Sequence, residues 1–410
     1  MKRVFPGNFI AGLFLILAAG LPLRGQFVPG QYTEEAPFRT WNSFPCLSAA
    51  ALSRGQTAFA WGTDATVSAS NPALLTTLPK TWSLALGGSY QYATAMKYGP
   101  INSGALTADA AAGRKIFTGD HLALSFRSGR IALAASAFLS ESYDRPVVDA
   151  SWTDVYHIQF KQSGFLRVFN LAAAVRLSSR LGIGLGLNID SGRWKSDYAE
   201  SILTDGYTIT KAKSADLRGL YFNGGLFWDL SSTVRAALTF RTPSTLKTRT
   251  ETLDRYQVPL AGTDISIRGN SDDSFARPLV VGAGLTIQNG PRLRSAVDLS
   301  WFRWSTYKAV WLGETRTRDF RDTVRICVGG EYFTDLWLFK KNRVVPVRFG
   351  VVYDPQPQAS PRSAYFAFTL GTGLEIGGLR LDFGALVGYE SGSGDNLVAR
   401  KISLGVAYVF

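Results

Sequence analysis

From Trp82 to Phe410 apolar residues recur at every second position, which is the side-chain period of a β-strand and not of a helix. Leu181, Ile183, Leu185, Leu187 and Ile189 alternate with Gly182, Gly184, Gly186, Asn188 and Asp190. Leu379, Leu381, Phe383, Ala385, Val387 and Tyr389 are interleaved with Arg380, Asp382 and Gly384. The last run, Ile402, Leu404, Val406, Tyr408 and Phe410, encloses Lys401, Ser403 and Gly405 and ends on an aromatic residue. Marking every such run predicts about fourteen strands, at 82–92, 121–127, 130–140, 165–178, 180–191, 219–230, 233–241, 278–288, 292–304, 323–333, 345–353, 364–376, 379–390 and 399–410.

The connections sort by length. Those after even-numbered strands are tight (Ser128-Gly129, Ser178-Ser179, Ser231-Ser232, Asn289-Gly290-Pro291, Gly377-Gly378), except for a longer one from Asp335 to Val344. Those after odd-numbered strands are mostly long, as at 93–120, 192–218 and 242–277. Short turns at one end and long loops at the other are the asymmetry of outer-membrane barrels, with the short turns in the periplasm. An even strand count places both chain ends there too.

In a soluble sheet the apolar face packs inward. Here the interleaved set is rich in Gly, Ser, Ala, Asn and charge, which suits a polar or mixed lumen, so the apolar set is expected to face lipid. Trp82, Tyr90, Trp228, Trp301, Tyr332, Tyr353, Tyr389 and Tyr408 lie toward strand ends, as in the aromatic girdles at membrane interfaces. Charged residues are only 18% and glycines number 41. Beyond the N-terminus no run approaches the roughly 20 apolar residues of a spanning helix. The fold class expected is all-β, a transmembrane antiparallel β-barrel in the outer membrane of a Gram-negative-type bacterium. A soluble multi-strand sandwich is the alternative.

Lys2 and Arg3 followed by the apolar stretch Phe9–Leu23 read as a signal peptide over 1–25, cleaved after Gly25, with Ala19 or Gly20 as alternative sites. An uncleaved anchor is the alternative. Residues 26–81 lack alternation and form a periplasmic arm or a plug, and 82–410 form the barrel. A fourteen-stranded lumen is too wide for wall side chains alone to fill, so a plug is physically reasonable. The net charge of +13 arises from scattered Lys and Arg, which fit barrel ends, loops, or contact with anionic outer-membrane lipid and lipopolysaccharide headgroups or with anionic substrates; no nucleic-acid motif is present.

The segment before the first strand carries Leu52-Ser53-Arg54-Gly55, Gly62-Thr63-Asp64-Ala65 and then Ser70-Asn71-Pro72-Ala73-Leu74-Leu75. It resembles the hatch of the FadL/TodX-type long-chain fatty acid transporters, in which small residues run into an Asn-Pro-Ala motif. Phe222–Gly225 with Ala237–Pro243, Trp304–Tyr307 and Arg348–Asp354 are similar to strands of that family. The resemblance spreads over roughly 50–410. It implies a fourteen-stranded barrel with an N-terminal hatch and no cofactor. It also implies passive uptake of fatty acids or other hydrophobic small-molecule ligands, leaving laterally beside a kinked third strand. The polar long loops depart from the family's apolar capture groove. Barrels of this architecture also serve as interaction or assembly factors for a periplasmic or secreted protein partner, which is the alternative function.

Asn71, Pro72 and Ala73 form the expected hatch turn, where Asn before Pro favours turn initiation. On the strand register Arg127, Arg176, Arg235, Arg325, Arg348, Arg380 and Lys401 point inward. Of these, Arg325, Arg348, Arg176 and Lys401 are the candidate ligands for a carboxylate headgroup, since a buried carboxylate needs a cationic partner. The alternative is pairing with the inward acids Asp190, Asp229, Asp298, Glu331, Glu375 and Asp382. Cys327 also points inward and Cys46 lies in the plug, a candidate disulfide that would stabilise by roughly 5 kcal/mol in the chain-entropy model. His121 and His157 are the only histidines and assemble no catalytic constellation, and no metal spacing is present. No enzymatic activity is expected.

Overall fold

The computed structural model describes residues 48–410 apart from 80, 104–105, 145–146, 153–155, 203–205, 260–261, 318, 361 and 393–397. The segments expected as a signal peptide and as the start of a plug, and Cys46, lie outside the described residues. The first seven strands are β1 (Trp82–Ser103), β2 (Leu106–Ser128), β3 (Ile131–Ser142), β4 (Val148–Trp152), β5 (Tyr156–Arg176), β6 (Leu181–Ile202) and β7 (Tyr207–Asp229). They are followed by β8 (Val234–Arg241), β9 (Ser244–Val258), β10 (Thr263–Arg277), β11 (Val280–Asn289), β12 (Leu293–Phe302), β13 (Ala309–Trp311) and β14 (Glu314–Arg316). The last are β15 (Thr323–Leu338), β16 (Lys341–Pro355), β17 (Ala364–Ile376), β18 (Leu379–Ser391) and β19 (Val398–Val409).

Fourteen of these close an antiparallel barrel in the order β1-β2-β3-β5-β6-β7-β8-β11-β12-β15-β16-β17-β18-β19, with β19 returning to β1 through Ser83–Val409. Each matches one of the fourteen runs of apolar alternation in chain order. β4, β9, β10, β13 and β14 extend the wall at the end away from the tight turns, β9 pairing with the far half of β7 and β10 with β9 and β13.

The long connections expected at 93–120, 192–218 and 242–277 are therefore mostly strand: β6 and β7 pair without interruption from Leu181–Trp228 out to Ile202–Tyr207. The reason is solvent. Above the lipid the outward positions become Arg193, Lys195, Asp216 and Arg218, so apolar alternation vanishes while the backbone ladder continues. Asp335–Val344 is likewise ladder to its tip, where Phe339 and Lys340, both at positive φ, make the turn.

Outward residues are apolar and exposed, among them Ile183, Leu185, Ile189, Phe169, Leu171, Phe349, Val351 and Leu404. Inward residues are mostly buried; many are small or polar, and larger apolar ones such as Phe138, Trp194, Phe227 and Phe302 pack inside. Such an arrangement is stable only with hydrocarbon outside, and the chain is an outer-membrane barrel.

Residues 48–79 sit within the lumen. They form α1 (Ala49–Ser53), α2 (Val67–Ser70) and a 3₁₀ turn at Pro72–Thr77. Ser48 caps α1 by accepting from the Ala51 amide at 3.1 Å, and α1 packs against β17, β18 and β19. The wall receives this segment on glycines. A Cβ at Gly329 would overlap the Arg54 carbonyl and one at Gly350 the Gly55 amide. A Cβ at Gly184 would stand 2.5 Å from the Ala73 nitrogen. Glycine here serves close backbone approach.

Gly329→Ala or Gly350→Ala is expected to weaken the hatch seat by about 1–3 kcal/mol by overpacking while leaving the barrel closed. Protease cleavage within 48–79 of a folded, heat-modifiable barrel should accelerate in either variant. Wild-type resistance would show that the hatch does not depend on these glycines.

Candidate functional site

The Asn-Pro-Ala turn is built as a wedge between hatch and wall. Asn71 is fully buried. Its amide donates to the Phe59 carbonyl at 2.7 Å and to the Leu226 carbonyl of β7 at 3.2 Å, and its Oδ1 accepts from the Ala73 amide at 3.2 Å. Pro72 opens the 3₁₀ turn, where its missing N–H costs nothing. One side chain thus ties two parts of the hatch to the barrel.

Three further clamps were not foreseen as such, although Asp298 was expected as an inward acid that would pair with a cation. Asp298 of β12 accepts from the Ala58 and Phe59 amides at 2.6 and 2.9 Å. Asn170, Asn188 and Asn223, neighbours across β5, β6 and β7, form an amide ladder at 2.9 and 2.7 Å. The ladder ends with Asn223 donating to the Ser68 and Ala69 carbonyls at 3.0 and 3.2 Å. Trp61 lies between two guanidinium groups, Arg54 at 3.9 Å and Arg294 at 4.9 Å. Three inward asparagines on consecutive strands were a legible signal for the ladder. Nothing local marked the rest.

Most inward cations are engaged by acids; Arg127 instead donates to the Leu78 carbonyl of the hatch. From the hatch, Asp64 meets Arg380 at 2.8 Å, Arg380 meets Asp382 at 2.9 Å and Asp382 meets Arg348 at 2.7 Å; Arg348 also binds Glu331. The charges alternate in sign along this chain. Burial opposes the Asp64 charge, but Arg380 and the Thr66 hydrogen bonds outweigh it and hold the carboxyl below its ordinary range. Arg325 binds Gln56 of the hatch and stands 4.0 Å from Asp354. Arg176 lies at the periplasmic turn, donating to the Ser179 carbonyl at 2.6 Å and the Thr76 carbonyl at 3.4 Å, with Asp229 at 3.7 Å. Lys401 pairs with Asp120 at 3.4 Å. Arg325 and Arg348 lie on adjacent strands, as the register predicts, but Arg176 and Lys401 are apart from them. Cys327 is buried against Leu52, Val352, Ala367 and Leu386, and its expected partner Cys46 lies outside the described residues.

Toward the extracellular end the interior is aromatic. Trp311 packs on Trp194 at 5.6 Å and on Phe275 at 5.5 Å, beside Tyr143, Leu217 and Leu246. Below them Arg277 and Asp190 pair at 2.9 Å, both buried.

The β2–β3 ladder is interrupted. Pairing with β2 runs from Ser128–Ile131 to His121–Phe138 and stops there, although β2 continues to Leu106 and β3 to Ser142. Pairing of β3 with β5 shifts register between Leu139 and Glu141. Inside this seam Phe138, Val168 and Tyr221 pack with Ala69 of the hatch. Among the described residues no cluster of His, Cys, Asp or Glu is arranged to hold a metal.

A family model described as BamG matches residues 60–402, from the hatch into the last strand. The chain belongs to the BamG family. This BamG family member has the fold of FadL/TodX-type barrels. A Pseudomonas aeruginosa FadL homologue aligns over 88% of this chain and 98% of its own at TM-score 0.63 and 14% identity. The Pseudomonas putida toluene transporter TodX aligns over 88% and 98% at 0.64 and 12%. The Ralstonia pickettii toluene transporter TbuX aligns over 88% and 97% at 0.60 and 15%. No curated protein matches this BamG family member in sequence.

Asn71→Ala leaves the Phe59 and Leu226 carbonyls without their donor and removes the cap of the 3₁₀ turn. A loss of about 2–4 kcal/mol in local stability is expected. Amide hydrogen exchange over 58–77 should rise by at least tenfold while the strands stay protected; an unchanged profile would assign the hatch fold to other contacts.

Proposed function

We propose that this chain is a passive route for neutral hydrophobic compounds across the outer membrane. The observation that carries the reading is the interrupted β2–β3 ladder above Phe138, lined inside by apolar side chains of both wall and hatch. A small apolar molecule passes the aromatic upper lumen, displaces α2 locally and leaves sideways into the bilayer, avoiding the periplasmic end that the hatch closes. The Asn71–Ala73 turn is the pivot about which the hatch yields. TodX and TbuX, described as toluene transporters, share the fold.

Fatty acids fit less well than neutral ligands. Arg348 and Arg380 bridge two carboxylates each, and Arg325 faces Asp354 and Gln56. A ligand carboxylate entering there would have to displace a paired acid and leave it buried and unpaired, which costs several kcal/mol.

A second reading, an interaction factor for a periplasmic or secreted protein, has its own support. The β15–β16 hairpin carries Trp337 and Phe339, each 73% exposed, at its periplasmic tip. Stoichiometric co-purification of one protein that is lost in a Trp337→Ala, Phe339→Ala variant would favour it.

Cells lacking the chain are expected to take up labelled toluene several-fold more slowly, with oleate entry unchanged. Equal loss of both would point to a carboxylate-binding site. Undiminished entry of both would remove the uptake reading.

A further inference from the structure

The outward face of β5, β6, β7 and β9 changes character within one residue pair. Phe169, Ile189 and Leu220 form a lipid-facing apolar row across β5, β6 and β7. The next outward row toward the extracellular end is Arg167, Ser191, Arg218 and Lys247, in register across four strands, and it contains no acid. The row above that adds Arg193 and Arg249 on either side of Asp216, and Lys195 follows on β6.

The height of this band is set by the strands. Arg167 lies nine residues from Arg176 at the tight turn. At about 3.3 Å per residue and a tilt near 40°, that is roughly 23 Å along the membrane normal, close to the top of an apolar band about 25 Å tall. The cations therefore stand at the headgroup level of the outer leaflet.

A cavity of about 410 Å³ opens on this face at the same height. Phe117, Leu139 and Phe165 supply its apolar side, and Arg167, Arg193 and Lys195 its cationic side. Phe117 is 79% exposed, an unusual cost unless lipid covers it. Arg193 is held by Asp216 at 2.9 Å. Arg167 stacks on Phe165 at 5.2 Å, and neither it nor Lys195 has a carboxylate within 4.0 Å among the described residues. Asp144, also at the rim, accepts from Ser142 at 3.5 Å.

We propose that this cavity binds the phosphorylated headgroup of an outer-leaflet glycolipid, with its acyl chains lying down the apolar face below. Charge complementarity selects the occupant. Arg167 and Lys195, without an ion-pair partner among the described residues, and Arg193, held by Asp216, outnumber the one rim carboxylate, Asp144, and suit a phosphate oxyanion, guanidinium groups bind phosphate with directed hydrogen bonds, and the aromatic side chains suit the top of the acyl chains. The site uses no residue of the lumen, so its test stands apart from that of uptake.

The whole chain, purified in nonionic detergent, would be examined by native mass spectrometry with bis-phosphorylated hexa-acyl lipid A and with its dephosphorylated form. Retention of the phosphorylated lipid at least about tenfold above the dephosphorylated one is expected. The Arg167→Gln, Lys195→Gln double variant should lose that preference and remain heat-modifiable, whereas Arg255→Gln, on the distant β9–β10 hairpin, should keep it. Equal retention of both lipids, or an unaffected double variant, would overturn the proposal. Displacement of the lipid by inorganic phosphate at millimolar concentration would also overturn it, since the site would then be one for free anions.

Discussion

A barrel of fourteen strands encloses more space than its own side chains can fill, and this one must fill it with backbone. Any segment placed there brings peptide groups that have left water and must find partners. The wall meets that demand in two ways. Glycines at inward positions of β6, β15 and β16 let hatch backbone lie directly on wall backbone. Asparagine and aspartate at neighbouring inward positions then reach the hatch amides and carbonyls. The same interleaved positions that read as lumen filling in the sequence are the seat and the clamps.

The charges obey a related constraint. An isolated ion in the lumen would be costly, so Asp64, Arg380, Asp382, Arg348 and Glu331 alternate in sign across hatch and wall. Breaking one member of a buried chain leaves its neighbours uncompensated. The arrangement therefore specifies where the hatch sits more than it adds net stability. It also consumes the cations that a ligand carboxylate would need.

Much of this fold was legible because lipid imposes the strongest pattern a strand can carry. Every run of apolar alternation became a barrel strand, since each outward residue in the bilayer has to be apolar. The pattern fails where the bilayer ends. Arg193, Lys195, Asp216 and Arg218 continue β6 and β7 in water, and there the sequence resembles a polar loop although pairing is unbroken. At the Phe339-Lys340 turn the usual glycine signal was absent, so the hairpin tip read as a longer connection. Within the site, the Asn71 turn stood out because Asn before Pro has a local mechanism. Asp298 did not, because its partners, Ala58 and Phe59, lie about 240 residues away and only closure of the barrel brings them together.

The distribution of clamps bears on how anything could pass. Ejecting the whole hatch would break the Asp64–Arg380 pair, both bonds to Asp298, both wall-directed sets at Asn71 and Asn223, and the stacking of Trp61. At about 1–3 kcal/mol for each charged bond and about 1 for each neutral one, the total is on the order of 10 kcal/mol. That corresponds to an open fraction of roughly 10⁻⁷. A shift of α2 alone gives up mainly the two bonds from Asn223 and the packing of Ala69 on Phe138, Val168 and Tyr221. That smaller change is reached many thousandfold more often, and it occurs beside the part of the wall where the β2–β3 ladder is interrupted. On the proposed uptake route, a small apolar molecule moving sideways would need only this step, whereas a bulky or charged one would need the hatch to leave.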